Sequence, residues 1–395
     1  MPPPLMPKVL LITPFHPDIG GGSAHLRKLL PHFKALEVEW LYFGSPPSTF
    51  PNAHSLGPNL IGGPLLQDLP RSLALWSGLP SSHLQHHLQS ILDRKADGCW
   101  IVAMNECIPL GNLLRAKSSL PLHVSVQDDQ ADGIAGRSKR YWWLAPLMRR
   151  AWLKLLRSAS TIDVISEPMA RYYRTRYSLT STVVHPYLLD RYQQPIQDDN
   201  PTSLRVGHIG NLYSQREFLA FLHAFGTTAR KLGKIPELVL VGGGSLDRAR
   251  LQVALGTTGI IYDFPNLDEA AAIAHLSTCQ MLYAMYPFAP NARVFRQTSL
   301  PTKLSTYLQC HRPVFAHTPL DSSLATLVQD HHLGVTCDDL EEDAMAPKID
   351  ALLSSPPPPL HFEVIKSSLY GPDNVSKLEA AILGTIGKAE GQPDR

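Results

Sequence analysis

Three consecutive glycines stand between the first apolar run of this 395-residue sequence and the helical pattern that follows it. They are Gly20, Gly21 and Gly22, and we predict that the helix begins at Ala24. Glycines allow the backbone to approach a ligand closely, and the N-terminus of a helix presents free N–H groups to an anion. A flexible connecting loop is the alternative, but a position at the ligand-binding rim of an α/β sheet favours a binding loop.

A second group of polar side chains stands at another predicted helix start, between residues 296 and 308. We predict Pro301 as the first helical residue, where its missing N–H costs nothing. Hydroxyl groups would then meet a ligand at the positive end of the helix, beside a real cation, and such an arrangement suits a pyrophosphate. The side chains are those of Thr298, Ser299, Thr302 and Lys303. An ordinary capped surface helix is the alternative.

Several well-known motifs are missing from the sequence. In a GxGxxG register the first glycine turn has His25 at the third glycine, and the turn after Val241 has Asp247 there, so a nicotinamide fingerprint is not favoured. The sequence contains no GxxxxGK[ST], no GxSxG and no Asp-x-Asp, which argues against P-loop and α/β-hydrolase enzymes and against a manganese clamp. His83 and His87 stand four residues apart, and an exposed polar helix face explains them better than zinc does.

Composition limits the class of protein further. Lys plus Arg (36) nearly balances Asp plus Glu (34), so we expect no nucleic-acid partner. The five cysteines form no CxxC pair, which fits a reducing compartment. No signal peptide and no apolar run of roughly 20 residues is visible. We expect a cytoplasmic protein, at most peripheral on the inner membrane face.

Short apolar runs alternate with helical patterns in both halves of the chain, which predicts α/β domains with parallel sheets. The predicted strands are 8–13, 38–43, 99–103, 122–126, 161–165 and 182–184, then 205–209, 238–241, 259–262, 281–284 and 313–316. The predicted helices are 24–35, 84–95 and 144–157, then 215–231, 267–276, 301–308 and 375–386. We therefore predict two Rossmann-like domains that face each other across a cleft.

The domain boundaries follow from a polar segment with two prolines, Pro195 and Pro201. We predict a first domain over residues 1–190, a linker over 191–203 and a second domain over 204–370. Residues 371–395 are predicted as a last helix and a disordered tail.

A basic stretch lies between residues 133 and 162, which contain seven cations and no acid. On a helical wheel the bases cover one arc, and Met148, Ala151, Trp152, Leu155 and Leu156 cover the other. With the aromatic residues 141–143 beside it, the segment 141–157 could lie on an anionic bilayer and collect a lipid-linked acceptor. Packing of the apolar arc on the sheet explains the pattern equally well.

Three motifs occur in order along nearly the whole chain. The first is His16-Pro17-x-x-Gly20-Gly21-Gly22, and the second is Gly207-His208-Ile209-Gly210-Asn211-Leu212 with Arg216. The third is Ser299-Leu300-Pro301-Thr302-Lys303-Leu304-x-x-Tyr307-Leu308, leading into Arg312-Pro313-Val314. Val241-Gly242-Gly243-Gly244 lies between the second and the third. Together they resemble the retaining family-4 glycosyltransferases of the GT-B fold.

The resemblance implies a transferase that moves a sugar from a nucleoside-diphosphate donor to an acceptor hydroxyl, with retention and without a metal. It implies no cofactor beyond the nucleotide sugar, and a glycan, lipid-linked or small-molecule acceptor. Arg216 would neutralise donor phosphate, and the base would lie near Phe264. The other implied donor-binding positions are Gly20, Gly21, Gly22, Asn211, Gly243, Ser299, Leu300, Thr302, Lys303 and Thr306. Asp128 and His16 are the catalytic candidates that would face the sugar.

The chain departs from the family pattern at three positions. Thr306 and Thr298 stand where the family's two acidic residues are expected, and Asn211 stands where an arginine is common. Two other interpretations therefore remain open. One is a sugar-nucleotide hydrolase or epimerase of the same fold, and the other is a non-catalytic GT-B-like scaffold.

Overall fold

The computed structural model describes residues 6–45, 47–60, 65–77, 82–136, 138, 142–188, 202–242, 247–265 and 267–390, with the backbone alone at 65–68 and 388–390. The chain forms two compact units. The first contains Met1–Tyr187 and Pro372–Arg395, and the second contains Leu188–Gly371. Gly243, Tyr141 and the predicted linker up to residue 201 lie outside the described residues.

The first unit is built on a parallel sheet of seven strands in the order β3-β2-β1-β4-β5-β6-β7. Its strands are β1 (Lys8–Thr13), β2 (Glu37–Phe43), β3 (Ala53–Gly57), β4 (Gly98–Val102), β5 (Leu122–Val126), β6 (Thr161–Val164) and β7 (Thr182–Val183). Its helices are α1 (Gly21–Leu29), α2 (Leu65–Ser77), α3 (Ser82–Leu92), α4 (Cys107–Lys117), α5 (Ala145–Ser158) and α6 (Glu167–Tyr177).

The second unit has a parallel sheet of six strands in the order β10-β9-β8-β11-β12-β13. Its strands are β8 (Ser203–Ile209), β9 (Ile235–Val241), β10 (Ile260–Phe264), β11 (Met281–Met285), β12 (Val314–His317) and β13 (Gly334–Cys337). Its helices are α7 (Gln215–Lys231), α8 (Arg248–Leu255), α9 (Glu269–Ser277), α10 (Arg293–Thr298), α11 (Lys303–Cys310), α12 (Ser323–Asp330), α13 (Glu342–Ser354) and α14 (Pro359–Ser368).

The last helix, α15 (Asp373–Glu390), belongs to the first unit although it follows the whole of the second in sequence. Val375, Leu378 and Ile382 stand on one helical face and are buried in the first unit's core with residues of β1, β2 and β4. Glu379 fixes the position from outside, because its Oε1 accepts hydrogen bonds from the backbone N–H groups of Lys34 and Ala35 at 2.7 and 2.6 Å.

Each sheet has one point where the strand order reverses. In the first unit it lies between β1 and β4, and in the second it lies between β8 and β11. At such a point the loops leave the carboxyl ends of two neighbouring strands in opposite directions, which opens a crevice where α/β proteins bind ligands. The loops after β1, β4, β8 and β11 are therefore where each unit is expected to hold its chemistry.

Two helix starts differ from the sequence prediction. The first helix begins at Gly21, not Ala24, because Gly20 takes a φ of +94° as the N-cap and the next two glycines enter the first turn. The helix predicted from Pro301 begins at Lys303, and Pro301 stands two residues before it, with its carbonyl oxygen accepting from the Leu304 N–H at 3.0 Å. The edge strands β3 and β13 were not predicted, since each is short and at most half apolar.

Candidate functional site

The loop from β8 to α7 occupies the reversal point of the second sheet. Gly210 turns the chain there with a φ of +76°, and Ser214 is the N-cap of α7. Asn211 and Arg216 are both exposed on this loop and first turn. The N-terminal N–H groups of α7 have no intrahelical acceptor and carry the positive end of the helix dipole. The arrangement is suited to an anion.

Glu217 joins this loop to the strand on the other side of the reversal point. Its side chain is buried, and Oε1 accepts a hydrogen bond from the Phe288 N–H at 2.9 Å, just after β11. The hydroxyl of Ser214 donates to the other oxygen. Glu217 thereby sets the distance between the two loops, and this role was not predicted from the sequence.

Lys303 reaches the same loop from the start of α11. Its Nζ donates to the carbonyl oxygen of Asn211 at 3.0 Å and lies 5.1 Å from the centre of the Tyr213 ring. The predicted parts of the phosphate site, which are 92 residues apart in sequence, are therefore neighbours in space. The side chain is buried, and burial lowers the pKa of its ammonium group to about 7.

His208 lies beneath Lys303. It is fully buried, and burial holds its pKa well below the usual value, so the imidazole is neutral. Nδ1 stands 3.0 Å from the carbonyl oxygen of Tyr283. A carbonyl oxygen can only accept a hydrogen bond, so the ring hydrogen is assigned to Nδ1. The lone pair of Nε2 then faces the Lys303 Nζ at 3.5 Å.

The segment before α11 is more buried than the sequence suggested. Thr298 is fully buried, and its hydroxyl donates to the Val294 carbonyl oxygen at 2.7 Å inside α10, so the expectation that it faces a ligand is wrong. Ser299 and Leu300 are also buried, and Thr302 is half-buried. Thr306 is buried one turn into α11.

Phe264 ends β10, near the predicted position of the base. Its half-buried ring stacks on His275, with ring centres 4.1 Å apart and planes inclined by 29°. Its carbonyl oxygen accepts from the Gly242 N–H at 2.8 Å, which brings the turn after β9 to the same end of the sheet. The carboxyl ends of β9 and β10 therefore lie next to each other, as parallel neighbouring strands require.

The glycine turn of the first unit lies against the end of β5. A Cβ atom built on Gly22 would stand 2.5 Å from the Gln127 Oε1 and 2.9 Å from the Phe15 ring, so no other residue fits there without displacing them. Gly21 is exposed and helical, and of the three glycines Gly20 alone has a positive φ. Gly22 is thus the glycine that lies too close to Gln127 and Phe15 for a side chain.

Asp128 and Asp129 follow β5 and have different surroundings. Asp129 is buried and caps a single π-helical turn (Gln130–Ala135), accepting from the Asp132 and Gly133 N–H groups at 2.7 and 3.0 Å. The residue that caps the segment after β5 is therefore Asp129. Asp128 is half-buried at the carboxyl end of the strand, next to Gln127.

His16 shapes its own turn. Its Nδ1 accepts a hydrogen bond from the Asp18 N–H at 3.2 Å, and its ring packs edge-on against Tyr42 with centres 4.9 Å apart. Nδ1 of His16 is thus used within the turn itself.

Glu106 was missed by sequence reasoning. It follows β4 at the reversal point of the first sheet and is fully buried, which raises the pKa of its carboxyl group. Asn59 bridges it to the first loop, because its Nδ2 donates to the Glu106 Oε1 at 2.9 Å and to the Pro14 carbonyl oxygen at 2.7 Å. The sequence signal that could have identified Glu106 is its position a few residues after the apolar run of β4.

Solved structures share the architecture over the whole chain. The lipopolysaccharide outer core galactosyltransferase WaaB, in its apo form, superposes with a TM-score of 0.63 at 12% identity, covering 95% of this chain and 99% of that one. Sucrose-phosphate synthase from Thermosynechococcus elongatus gives a TM-score of 0.61 at 13% identity, with 97% and 98% covered. The chain has the GT-B fold.

An enzyme of another type shares this GT-B fold. A structure described as a UDP-N-acetylglucosamine 2-epimerase from Listeria monocytogenes superposes with a TM-score of 0.58 at 10% identity, with 99% of each chain covered. No protein-family model and no curated protein sequence matches this chain.

The basic helix α5 uses its apolar arc inside the first GT-B unit. Met148, Trp152, Leu155 and Leu156 are buried, so the packing interpretation accounts for that face. Ala151 is half-buried beside them. Trp142 remains 64% exposed and Trp143 42% exposed, at the N-terminal end of α5.

The described residues contain neither a candidate membrane span nor a candidate metal cluster. Among the described residues no helix is long and apolar enough to cross a membrane. In the same part of the chain, no three His, Cys, Asp or Glu side chains are grouped as a metal site requires. On α3, His83 and His86 are exposed, and His87 packs against Phe43 with ring centres 5.2 Å apart.

Proposed function

We propose that the chain is a glycosyltransferase that moves a sugar from a nucleoside-diphosphate donor to an acceptor hydroxyl. One observation carries the proposal: the ammonium group of Lys303 contacts the loop that begins α7, at the reversal point of the second sheet. A buried cation, an exposed arginine and a helix N-terminus converge there. Diphosphate is the ligand that this combination suits best.

The donor phosphates would be held by three kinds of group. Lys303 in its charged form has three N–H donors, and the Asn211 carbonyl and His208 Nε2 take two of them. The third is left for a phosphate oxygen. Arg216 supplies a second, exposed charge from the first turn of α7, whose backbone N–H groups complete the site.

The nucleoside would occupy the loops beyond this phosphate site. We assign the base to the neighbourhood of Phe264 and the turn with Gly243, and the ribose to the side of Thr306 and Leu300. Because Thr306 has no carboxylate, the ribose hydroxyls would be bound less strongly than by an acid. The proposed donor site therefore depends mainly on its diphosphate contacts.

In the first unit, we propose that Asp128 and His16 contact the transferred sugar or the acceptor. The glycine turn at Gly20–Gly22 would bring backbone N–H groups to the same ligand. Asp128 is favoured because Asp129 already caps the following turn. The acceptor is a glycan, a lipid-linked sugar or a small molecule.

Retention of configuration and independence of metal also belong to the proposal. The resemblance of the motifs supports retention. The charge that develops on the leaving diphosphate would be met by Lys303, Arg216 and the dipole of α7, so no divalent cation is required. We place the enzyme in the cytoplasm, where its five buried thiols stay reduced.

The experiment is a turnover assay with a panel of nucleotide sugars, with and without candidate acceptors, in the presence of a chelator. We expect release of the nucleoside diphosphate to depend on an acceptor and to survive chelation with less than about a two-fold loss. Activity that is abolished by the chelator and restored by manganese would overturn the metal-independent mechanism.

A sugar-nucleotide epimerase or hydrolase is the second candidate, because a structure described as an epimerase shares the fold. Either activity would consume the donor without any acceptor, and an epimerase would leave the phosphate–sugar bond in place at equilibrium. A non-catalytic scaffold would show no donor turnover under any of these conditions. The same assay therefore separates all three functions.

A further inference from the structure

A cavity of about 430 Å³ lies in the first unit where α2, α3, α4 and α5 meet. Small-molecule sites have volumes of roughly 300–1,000 Å³. The floor is apolar, since Trp76 and Leu84 are buried there and Leu113 and Leu147 are half-buried. Among the described residues that line it, none belongs to the sugar or donor sites proposed above.

The rim of the cavity carries three exposed cations, Lys117, Arg150 and Lys154. No acid is among the described lining residues, and none of the three cations makes an ion pair with a described residue. Arg150 and Lys154 stand four residues apart on α5, so their side chains are neighbours. The rim is a concentration of positive charge that nothing described neutralises.

Arg149 on the same helix shows the contrast. Its Nε lies 3.1 Å from both carboxylate oxygens of Asp132, so its charge is used to hold α5 against the preceding turn. Among the described residues, no carboxylate holds Lys117, Arg150 or Lys154 in this way.

The cavity is elongated along α4 and α5. Pro109 and Leu147 line it near the starts of these helices, and Lys117 and Lys154 line it seven or eight residues further on, about 10–12 Å along the axes. Asn112 ties the two helices together beneath it, because its Nδ2 donates to the Ala151 carbonyl oxygen at 2.9 Å. Pro109 and Leu147 thus lie at one end of the cavity and Lys117 and Lys154 at the other, and Arg150 stands between them on α5.

We propose that this groove binds an amphiphile with a single apolar chain and a phosphate head group. The chain would lie on Trp76, Leu84, Leu113 and Leu147, and the phosphate would meet Arg150 and Lys154. A phosphate monoester carries a charge of about −1.5 to −2 near pH 7, which suits a rim of unpaired cations better than a single negative charge does. The proposal does not depend on glycosyl transfer.

The test uses decyl phosphate below its micelle concentration, with binding to the full chain measured by calorimetry. The charge variant is Arg150→Glu with Lys154→Glu, and the space-filling variant is Ala116→Trp, at an exposed residue that lines the groove. We expect each to weaken binding about ten-fold or more, because one removes the head-group contact and the other the room for the chain. Inorganic phosphate should not bind in the same concentration range.

The control is Arg157→Glu, which reverses one charge on α5, where the double variant reverses two, at an exposed residue outside the groove lining. The affinity of Arg157→Glu for decyl phosphate should stay within about two-fold of that of the wild type. The proposal is overturned if the wild type does not bind decyl phosphate, or if inorganic phosphate binds equally well. It is also overturned if Arg157→Glu weakens binding as much as the double variant. The space-filling variant keeps every charge and provides a test if the double variant does not fold.

Discussion

At the scale of single residues, the burial of Lys303 makes its charge depend on what binds beside it. The pKa of its ammonium group is lowered to about 7, so at pH 8 the side chain of the free protein is mostly neutral. A diphosphate placed next to Nζ would favour the charged form and raise that pKa. Binding and protonation are then linked.

We therefore predict that nucleoside-diphosphate binding takes up a proton at pH 8, approaching one proton per ligand. Calorimetry in two buffers of different ionisation enthalpy measures this number. Lys303→Met should reduce both the uptake and the affinity. An unchanged proton count in Lys303→Met would show that this side chain does not meet the phosphate.

The same pKa predicts a dependence of stability on pH. Between about pH 7 and the ordinary lysine value near 10.4, the unfolded chain binds a proton at Lys303 that the folded chain does not. The contribution of Lys303 to the free energy of unfolding therefore rises with pH across this window, and it is most unfavourable below pH 7. Denaturant melts at pH 6, 8 and 9.5 measure the free energy of unfolding of wild type and Lys303→Met. We expect the advantage of Lys303→Met over the wild type to shrink as pH rises.

The glycine turn offers a prediction at Gly22. Gly22→Ala places a methyl group 2.5 Å from the Gln127 Oε1 and must displace that side chain beside Asp128, so we expect turnover to fall at least about ten-fold. Gly384→Ala is the control, since Gly384 lies in α15, is exposed and has open space around its Cβ position, so alanine there should leave turnover unchanged and be neutral or stabilise by up to about 1 kcal/mol. Equal turnover in the two variants would mean that the turn is only a connector.

At the scale of elements, the sequence predicted most strands of the two sheets because buried parallel strands are continuous apolar runs. Helix starts were predicted less well. Pro301 looked like a first helical residue, yet α11 begins at Lys303, whose Nζ contacts the loop after β8. A contact with a loop 92 residues away is tertiary, and no local pattern predicts it. Capping rules, which consider only residues close in sequence, therefore did not predict the start of α11.

The exposed part of α5 and its flanking tryptophans lead to a prediction about membranes. With its apolar arc buried, α5 could contact a bilayer only through Trp142, Trp143 and the exposed cations Arg150, Lys154 and Arg157. If this surface is used, anionic vesicles should bind the protein, and binding should fall steeply between 50 and 300 mM salt, since exposed charges are screened within about 8 Å at physiological ionic strength. The double change Trp142→Ala and Trp143→Ala should weaken the binding to anionic vesicles without altering the melting temperature.

Vesicles without anionic lipid are the control for that experiment. Binding that is equal on neutral vesicles, or absent on both, would remove the membrane interpretation and leave a soluble acceptor.

At the scale of the whole molecule, the GT-B architecture could be predicted from two halves with the same alternation of strands and helices. The unit against which α15 packs could not be predicted. The apolar spacing of Val375, Leu378 and Ile382 predicts a helix with one buried face, but it does not say which sheet receives that face. The carboxylate of Glu106 was missed for a related reason, since its partners Asn59 and Pro14 are far away in sequence.

The candidate site was predictable in its motifs and not in its contacts. Lys303, Asn211 and Arg216 were identified from the sequence, and the structure brings Lys303 against Asn211. Glu217, His208 and Tyr213 hold these groups in place. His208 stands in the second motif, but the sequence assigned no role to any of the three, because their contacts exist only after β8 and β11 are paired.

The central claim is that the second unit binds a nucleoside diphosphate through Lys303, Arg216 and the start of α7. The most direct measurement is the melting temperature of the purified chain with a panel of nucleoside diphosphates and nucleosides. A ligand at 100 times its dissociation constant should stabilise the folded state by about 2.7 kcal/mol. Lys231→Ala, an exposed change at the opposite end of α7, is the matched control. We predict that at least one diphosphate raises the melting temperature of the wild type and Lys231→Ala, and that Arg216→Ala and Lys303→Met lose most of this shift, since a charge-assisted contact is worth about 1.5–3 kcal/mol. No shift with any nucleoside diphosphate, or an equal shift in all four proteins, would contradict the account.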